Sequence, residues 1–258
     1  MPDWSYQTLF RPLLFRMPAR SARRLTLGAM GAIGRMPGGS LLIRTLGHAE
    51  LPPPLATPIG PDGLTAPAPI GLSGTVDPDG QAQRALSQLG YGFLEIGPVT
   101  EHPIECREPI ALDPGGETIA YPSEYENGGL DAAFDKLREP VRELPRFARI
   151  APMPGSGLDQ AGAQLATMMI ELSDAGIDGY YIDVATLDER HRHDALAVAR
   201  DVAERRCEGK PIYLYWPLDE SPDRAEAFCA GWDREGWAGV VVGAAVRGEG
   251  GSCAVGAG

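Results

Sequence analysis

Lysine is nearly missing from this chain of 258 residues, which carries two, Lys136 and Lys210, among 23 basic residues. Basic chemistry therefore falls almost wholly to arginine, which binds anions well but does not serve as a Schiff-base amine or general base. The four cysteines, at 106, 207, 229 and 253, contain no C-x-x-C pair. A disulfide framework and a thiolate zinc site are both disfavoured, and the thiols are expected to be reduced. No stretch approaches the roughly 18 consecutive apolar residues that a membrane span needs, and the N-terminus has no signal-peptide core. A cytoplasmic protein is expected.

Acidic charge is plentiful but unevenly placed. The formal net charge is −12, yet residues 1–50 hold seven arginines against Asp3 and Glu50, so the rest of the chain carries −17. A basic arm precedes an acidic body. Such a body repels phosphate backbones, which excludes nucleic acid as a partner.

Residues 68–100 organise the chain. Residues 69–74 are short, apolar and broken by glycine, Asp77-Pro78-Asp79-Gly80 is a turn, 82–89 has helical spacing, and 93–97 is a second buried strand. Two strands joined by a helix must run parallel, because no tight hairpin can connect them. Downstream, the spacing predicts helices over 130–144, 158–173, 194–206 and 223–232. Strands are predicted near 147–151 and over 179–184, 211–216 and 238–243. Six strands alternating with helices define a TIM-type (β/α) barrel that stops short of eight. The expected units are a helical arm over 1–47, a proline-rich linker over 48–67, the barrel over 68–243 and a Gly-rich, mobile tail over 244–258.

The arm reads as two short amphipathic helices broken near Pro18, with Leu9, Leu13, Leu14, Leu25, Leu27 and Met30 set among arginines. Such helices can cap the barrel or lie on an anionic membrane surface, with Trp4, Phe10 and Phe15 as interfacial anchors.

The string PIGLSGTVDPDG, followed by ALSQLGYGFLEIGPVT, resembles the first two barrel strands of the class 2, quinone-linked dihydroorotate dehydrogenases. There the segments read approximately PLGLAAGLDKDG and ALGAMGFGSIEIGTVT. The arginine-rich arm is similar to that family's N-terminal extension. The resemblance implies FMN as cofactor, oxidation of dihydroorotate to orotate in pyrimidine synthesis, and quinone arriving through residues 1–47. It also implies peripheral association with the inner membrane. By position it makes Thr186 the counterpart of the catalytic serine, Ser73, Gly74, Thr75 and Thr100 the flavin contacts, and Asn127 a substrate ligand.

The sequence also departs from the family. Pro78 stands in place of a lysine that contacts flavin and substrate, and Pro98 in place of a threonine. Tyr215 replaces a second lysine, and Asp183 and Asp188 replace asparagines. Proline offers neither charge nor N–H, and added carboxylates repel an anionic substrate. Two functions therefore stay open: an enzyme with a rebuilt site, and a catalytically inactive barrel acting as a scaffold or partner subunit that covers open sheet edges as an oligomer. A truncated gene product is a third, minor reading. No metal is expected, because His191 and His193 are spaced two apart and cannot share one helix face.

Overall fold

The computed structural model describes residues 8, 11–46, 55–60, 63–113, 118–122, 124–139, 141, 144–217, 221–243 and 252–256. Trp4 and Phe10, two of the expected interfacial anchors, lie outside them, as do residues 48–54 of the linker and 244–251 of the tail.

The sheet at the centre follows from the alternation seen in sequence. Its strands are β3 (Gly71–Leu72), β4 (Phe93–Val99), β7 (Arg146–Ile150), β8 (Gly179–Asp183), β9 (Ile212–Pro217) and β10 (Gly239–Gly243). They lie side by side in chain order, β3-β4-β7-β8-β9-β10, and every pair is parallel. The crossovers are α4 (Gln83–Leu86), α5 (Gly129–Leu137), α6 (Leu158–Asp174), α7 (Glu189–Arg206) and α8 (Pro222–Gly231). The architecture is a six-stranded parallel half-barrel.

Period two sends alternate side chains to opposite faces. Ile96, Ile150, Ile182 and Leu214 point outward and join Leu165, Met168, Met169 and Leu172 of α6 and Leu196 of α7 in the main apolar core. Phe93, Phe147, Tyr181 and Tyr213 point inward. The Phe147 and Tyr181 rings stack at 5.0 Å between centroids, and Tyr213 meets Tyr181 edge-on at 5.6 Å. These arrangements suit the ring quadrupoles. A small hairpin of β1 (Thr57–Pro58) and β2 (Thr65–Ala66) packs against this layer through Ile59 and Leu64, with the Tyr213 hydroxyl donating to the Ile59 carbonyl. Part of the proline-rich stretch thus closes one end of the half-barrel.

Among the described residues the arm shows three helices where two were expected: α1 (Arg11–Leu14), α2 (Ala19–Arg35) and α3 (Gly39–Leu46). Pro18 lies in the expected break between α1 and α2, at the N-cap of α2, where a fixed φ is tolerated. The buried face of α2 is Leu27, Gly31 and Gly34. A Cβ on Gly31 would lie 2.6 Å from the Gln81 carbonyl oxygen, so glycine lets the arm approach the loop leading into α4. Leu27 packs with Ala82, Leu86 and Leu94.

Between β4 and α5 the chain makes an antiparallel excursion, β5 (Ala111–Asp113) against β6 (Thr118–Pro122). Part of the expected mobile tail joins it, because β11 (Ser252–Gly256) pairs antiparallel with β6. Two helix boundaries also differ from expectation. The helix expected over 130–144 ends at Leu137, and α7 begins at Glu189 rather than 194. Asp188 takes the N-cap position of α7, so the chain turns into helix before the histidines.

Candidate functional site

In parallel α/β sheets, ligands gather at the carboxyl ends of the strands. Here those ends carry an inward-facing polar layer above the aromatic one: Glu95 on β4, Arg149 on β7, Asp183 on β8 and Tyr215 on β9. Each lies two residues beyond the ring on its own strand, so the alternation that buries the rings also buries the charges.

Arg149 is the centre of the layer. Its Nη2 donates to Asp183 Oδ2 at 2.6 Å and its Nε to the same oxygen at 2.9 Å. The Tyr125 hydroxyl donates to that oxygen too, at 2.7 Å, while Asp183 Oδ1 accepts from the Ala185 amide at 2.9 Å. The guanidinium lies 3.7 Å over the Tyr215 ring and 5.5 Å from that of Tyr125. It is held between two aromatic faces and a carboxylate, an arrangement suited to a planar cation. Burial opposes the charge on Arg149, but Asp183 and the neighbouring tyrosines outweigh it and raise the pKa further. Burial, then the adjacent Asp183 charge, holds the Tyr125 hydroxyl protonated well above the usual range.

Glu95 completes the layer and is the strained member. Desolvation lifts its pKa to about 7, against the lowering influence of Arg149 and the Gly74 amide. One carboxyl oxygen, Oε1, is buried without a hydrogen-bond partner. A buried acceptor left in this state costs about 1–3 kcal/mol.

The residues expected from sequence fall into separate places. Thr100 and Asn127 do come together: Thr100 Oγ1 lies 3.0 Å from Asn127 Oδ1 and 2.7 Å from the His102 carbonyl. Asn127 Oδ1 also accepts from the Gly129 amide at 2.8 Å, and its backbone pairs with Ile104. These bonds tie the excursion to the barrel rim. Ser73 is exposed, its Oγ 3.4 Å from Thr75 Oγ1, and the Thr75 carbonyl accepts from Arg23 of the arm at 3.4 Å. Gly74 faces β4, where a Cβ would stand 2.5 Å from the Gly97 carbonyl oxygen. Thr186 donates to the Pro152 carbonyl at 3.3 Å. Pro78 offers its carbonyl to the Gly97 amide at 3.1 Å. Among the described residues no three His, Cys, Asp or Glu side chains converge as a metal site, and His193 stacks on Phe228 at 4.6 Å.

Arg149 and Tyr125 were missed in the sequence. The signal was available: in Arg146-Phe147-Ala148-Arg149-Ile150 a charged residue follows a ring two positions on, at a strand's buried end. An inward arginine there demands a carboxylate on the next strand, and Asp183 is that partner.

The FMN implied by the resemblance does not fit the residues present. At the strand ends the Arg149 guanidinium, the Tyr125 and Tyr215 rings and the Asp183 carboxylate are engaged with one another. No lysine stands at any strand end.

The architecture defines an α/β half-barrel of TIM type with a helical arm packed on its opening strands. About half of the chain shows distant homology to the quinone-type dihydroorotate dehydrogenases. It is 36% identical over 131 residues to the protein described as dihydroorotate dehydrogenase (quinone) of Stutzerimonas stutzeri, covering 50% of this chain and 36% of that one. With the protein of the same description from Nitrosomonas eutropha it shares 34% over 134 residues, 51% of this chain and 36% of that one. The matched segment thus spans little more than a third of the length of these relatives. Among solved structures, dihydroorotate dehydrogenase of Eimeria tenella in complex with ferulenol superposes with a TM-score of 0.58 at 15% identity. That superposition covers 83% of this chain and 70% of the other, and it establishes the shared fold. No family model matches the chain.

Proposed function

We propose that this chain is a flavin-free relative of the quinone-linked dihydroorotate dehydrogenases, silent in dihydroorotate oxidation and acting as a structural partner subunit. The carrying observation is the self-satisfied cluster of Arg149, Asp183, Tyr125 and Tyr215. Catalysis in the family needs a cofactor ring and a proton acceptor beside the substrate carbon. On this reading the Arg149 cluster stands where that ring would be needed; in support, Thr186, the positional counterpart of the catalytic serine, hydrogen-bonds to the Pro152 carbonyl. The partner role draws on the outer face of β10, where Val240 and Val242 are 48% and 60% exposed.

The arm is proposed to rest on a membrane surface. Leu25 on α2, Met36 at its C-cap and Leu41 and Leu42 on α3 are exposed, interspersed with arginines. Among the described residues no helix is long and apolar enough to cross a membrane.

The test is orotate formation by the purified chain supplied with dihydroorotate, FMN and a short-chain quinone, together with complementation of a pyrimidine auxotroph lacking its own dehydrogenase. The proposal expects no orotate and no growth. FMN-dependent orotate formation would favour the second reading, an enzyme with a rebuilt site.

A further inference from the structure

A cavity of about 480 Å³ lies between α2 and the loops at the barrel rim, with Arg20, Arg23 and Arg24 on one wall and Asp77, Asp79 and Glu126-Asn127 on the other. The acidic groups facing it are mostly spoken for. Asp77 accepts from the Gln81 and Ala82 amides at 2.8 and 2.7 Å, and Asp79 Oδ1 accepts from the Gly128 amide at 2.6 Å. Glu126 is paired with Arg20 at 3.4 Å and with Arg23 at 3.3 Å. Glu105, the remaining acid, is exposed on the rim.

The donors are in surplus. Arg20 Nη1 donates to the Cys106 carbonyl, which fixes that side chain, but its Nη2 is buried with no acceptor. Asn127 is 93% buried; its Oδ1 is used twice, while its Nδ2 has no acceptor. Arg24, exposed at the mouth, makes no ion pair among the described residues. A site whose acceptors are saturated and whose donors are not selects a ligand rich in acceptor oxygens, and guanidinium groups favour planar or tetrahedral oxyanions.

We propose that the cavity between α2 and the barrel rim binds a small oxyanion, a phosphate or carboxylate group, seated against Arg20, Arg24 and Asn127. The shared chemistry fits either a free metabolite or a phosphate at the head of a lipid. Glu126 competes with the ligand for Arg20 and Arg23, which gives the site a sign that an ordinary surface ion pair lacks.

The experiment is titration calorimetry of the full chain with inorganic phosphate and with malonate, repeated on R24Q, E126Q and R190Q. Saturable binding of at least one probe is expected. R24Q should weaken it about tenfold, the loss of one charged hydrogen bond of about 1.4 kcal/mol. E126Q should tighten it by releasing two arginines, and R190Q, on an exposed residue of α7, should leave it unchanged. In a second arm, phosphatidylcholine vesicles with and without phosphatidic acid are added. Displacement of phosphate only by the acidic vesicles assigns a lipid headgroup, and lack of displacement assigns a free anion; either supports the site. The proposal is overturned if neither probe binds saturably, or if R24Q and E126Q both behave as R190Q does.

Discussion

Arg149 of β7 and Asp183 of the adjacent β8, two residues beyond its register partner Tyr181, meet at 2.6 Å between Nη2 and Oδ2, with side chains 9% and 0% exposed. Removing a charge from such a pair is worse than removing both, because the survivor stays buried and uncompensated. Arg149→Met is therefore expected to destabilise the fold by about 3–5 kcal/mol. Arg149→Met combined with Asp183→Leu is expected to recover most of that loss. Urea unfolding of the two single variants and the double variant measures the coupling. Additive losses would show that the pair does not organise the strand ends.

Glu95 gives the fold a pH dependence of definite sign. Its folded pKa of about 7 lies above its ordinary value of 4.5, because burial disfavours the charge. The folded state holds the proton more tightly than the unfolded chain, so the group's favourable contribution is complete below about pH 4.5. It is lost progressively as the pH rises through about 7. Glu95→Gln keeps the shape and removes the titration. The variant is expected to be more stable than the parent at pH 8 and to match it near pH 4.5, as read from urea midpoints at both values. Equal midpoints at pH 8 would place Glu95 in a better-solvated site than its burial indicates.

The backbone at Gly97 is a second point of sensitivity. Its φ of +111° is one that side-chain-bearing residues rarely adopt, and a Cβ there would lie 2.2 Å from the Arg149 carbonyl oxygen. Gly97→Ala is expected to cost more than about 2 kcal/mol, combining backbone strain with displacement of β7. Thermal unfolding checks it, and a midpoint within error of the parent would contradict the close β4–β7 contact.

If the arm rests on a membrane, the chain should sediment with anionic vesicles at low salt and be released as salt screens the arginines. Leu41→Asp with Leu42→Asp should abolish the residual, salt-resistant binding. Sedimentation equal to the parent in that double variant would show that the exposed leucines of α3 do not insert.

Much of the barrel was legible because period two and parallel crossovers are local properties. The run 93–97 announces β4, and the spacing of Leu165, Met168, Met169 and Leu172 announces α6. The strand-end cluster was harder to see. Arg149 and Tyr125 belong to segments 24 residues apart, and their meeting at Asp183 follows from strand order and register, which single-sequence spacing does not reveal. Glu95 looked like a matching residue of a flavin fold, whereas its orphaned oxygen shows only once the neighbours are placed. The pairings of 57–58 with 65–66 and of 252–256 with 118–122 were hidden for another reason: 57–66 lies in a proline-rich stretch and 252–256 in a Gly-rich one, and those propensities speak against strands even where tertiary contacts impose them.

The central claim is that side chains of the protein occupy the place of an isoalloxazine. Equilibrating the purified chain with FMN, removing free flavin by gel filtration and recording absorbance at about 450 nm tests it directly. The account predicts no retained flavin band. A stoichiometric band surviving filtration would contradict it.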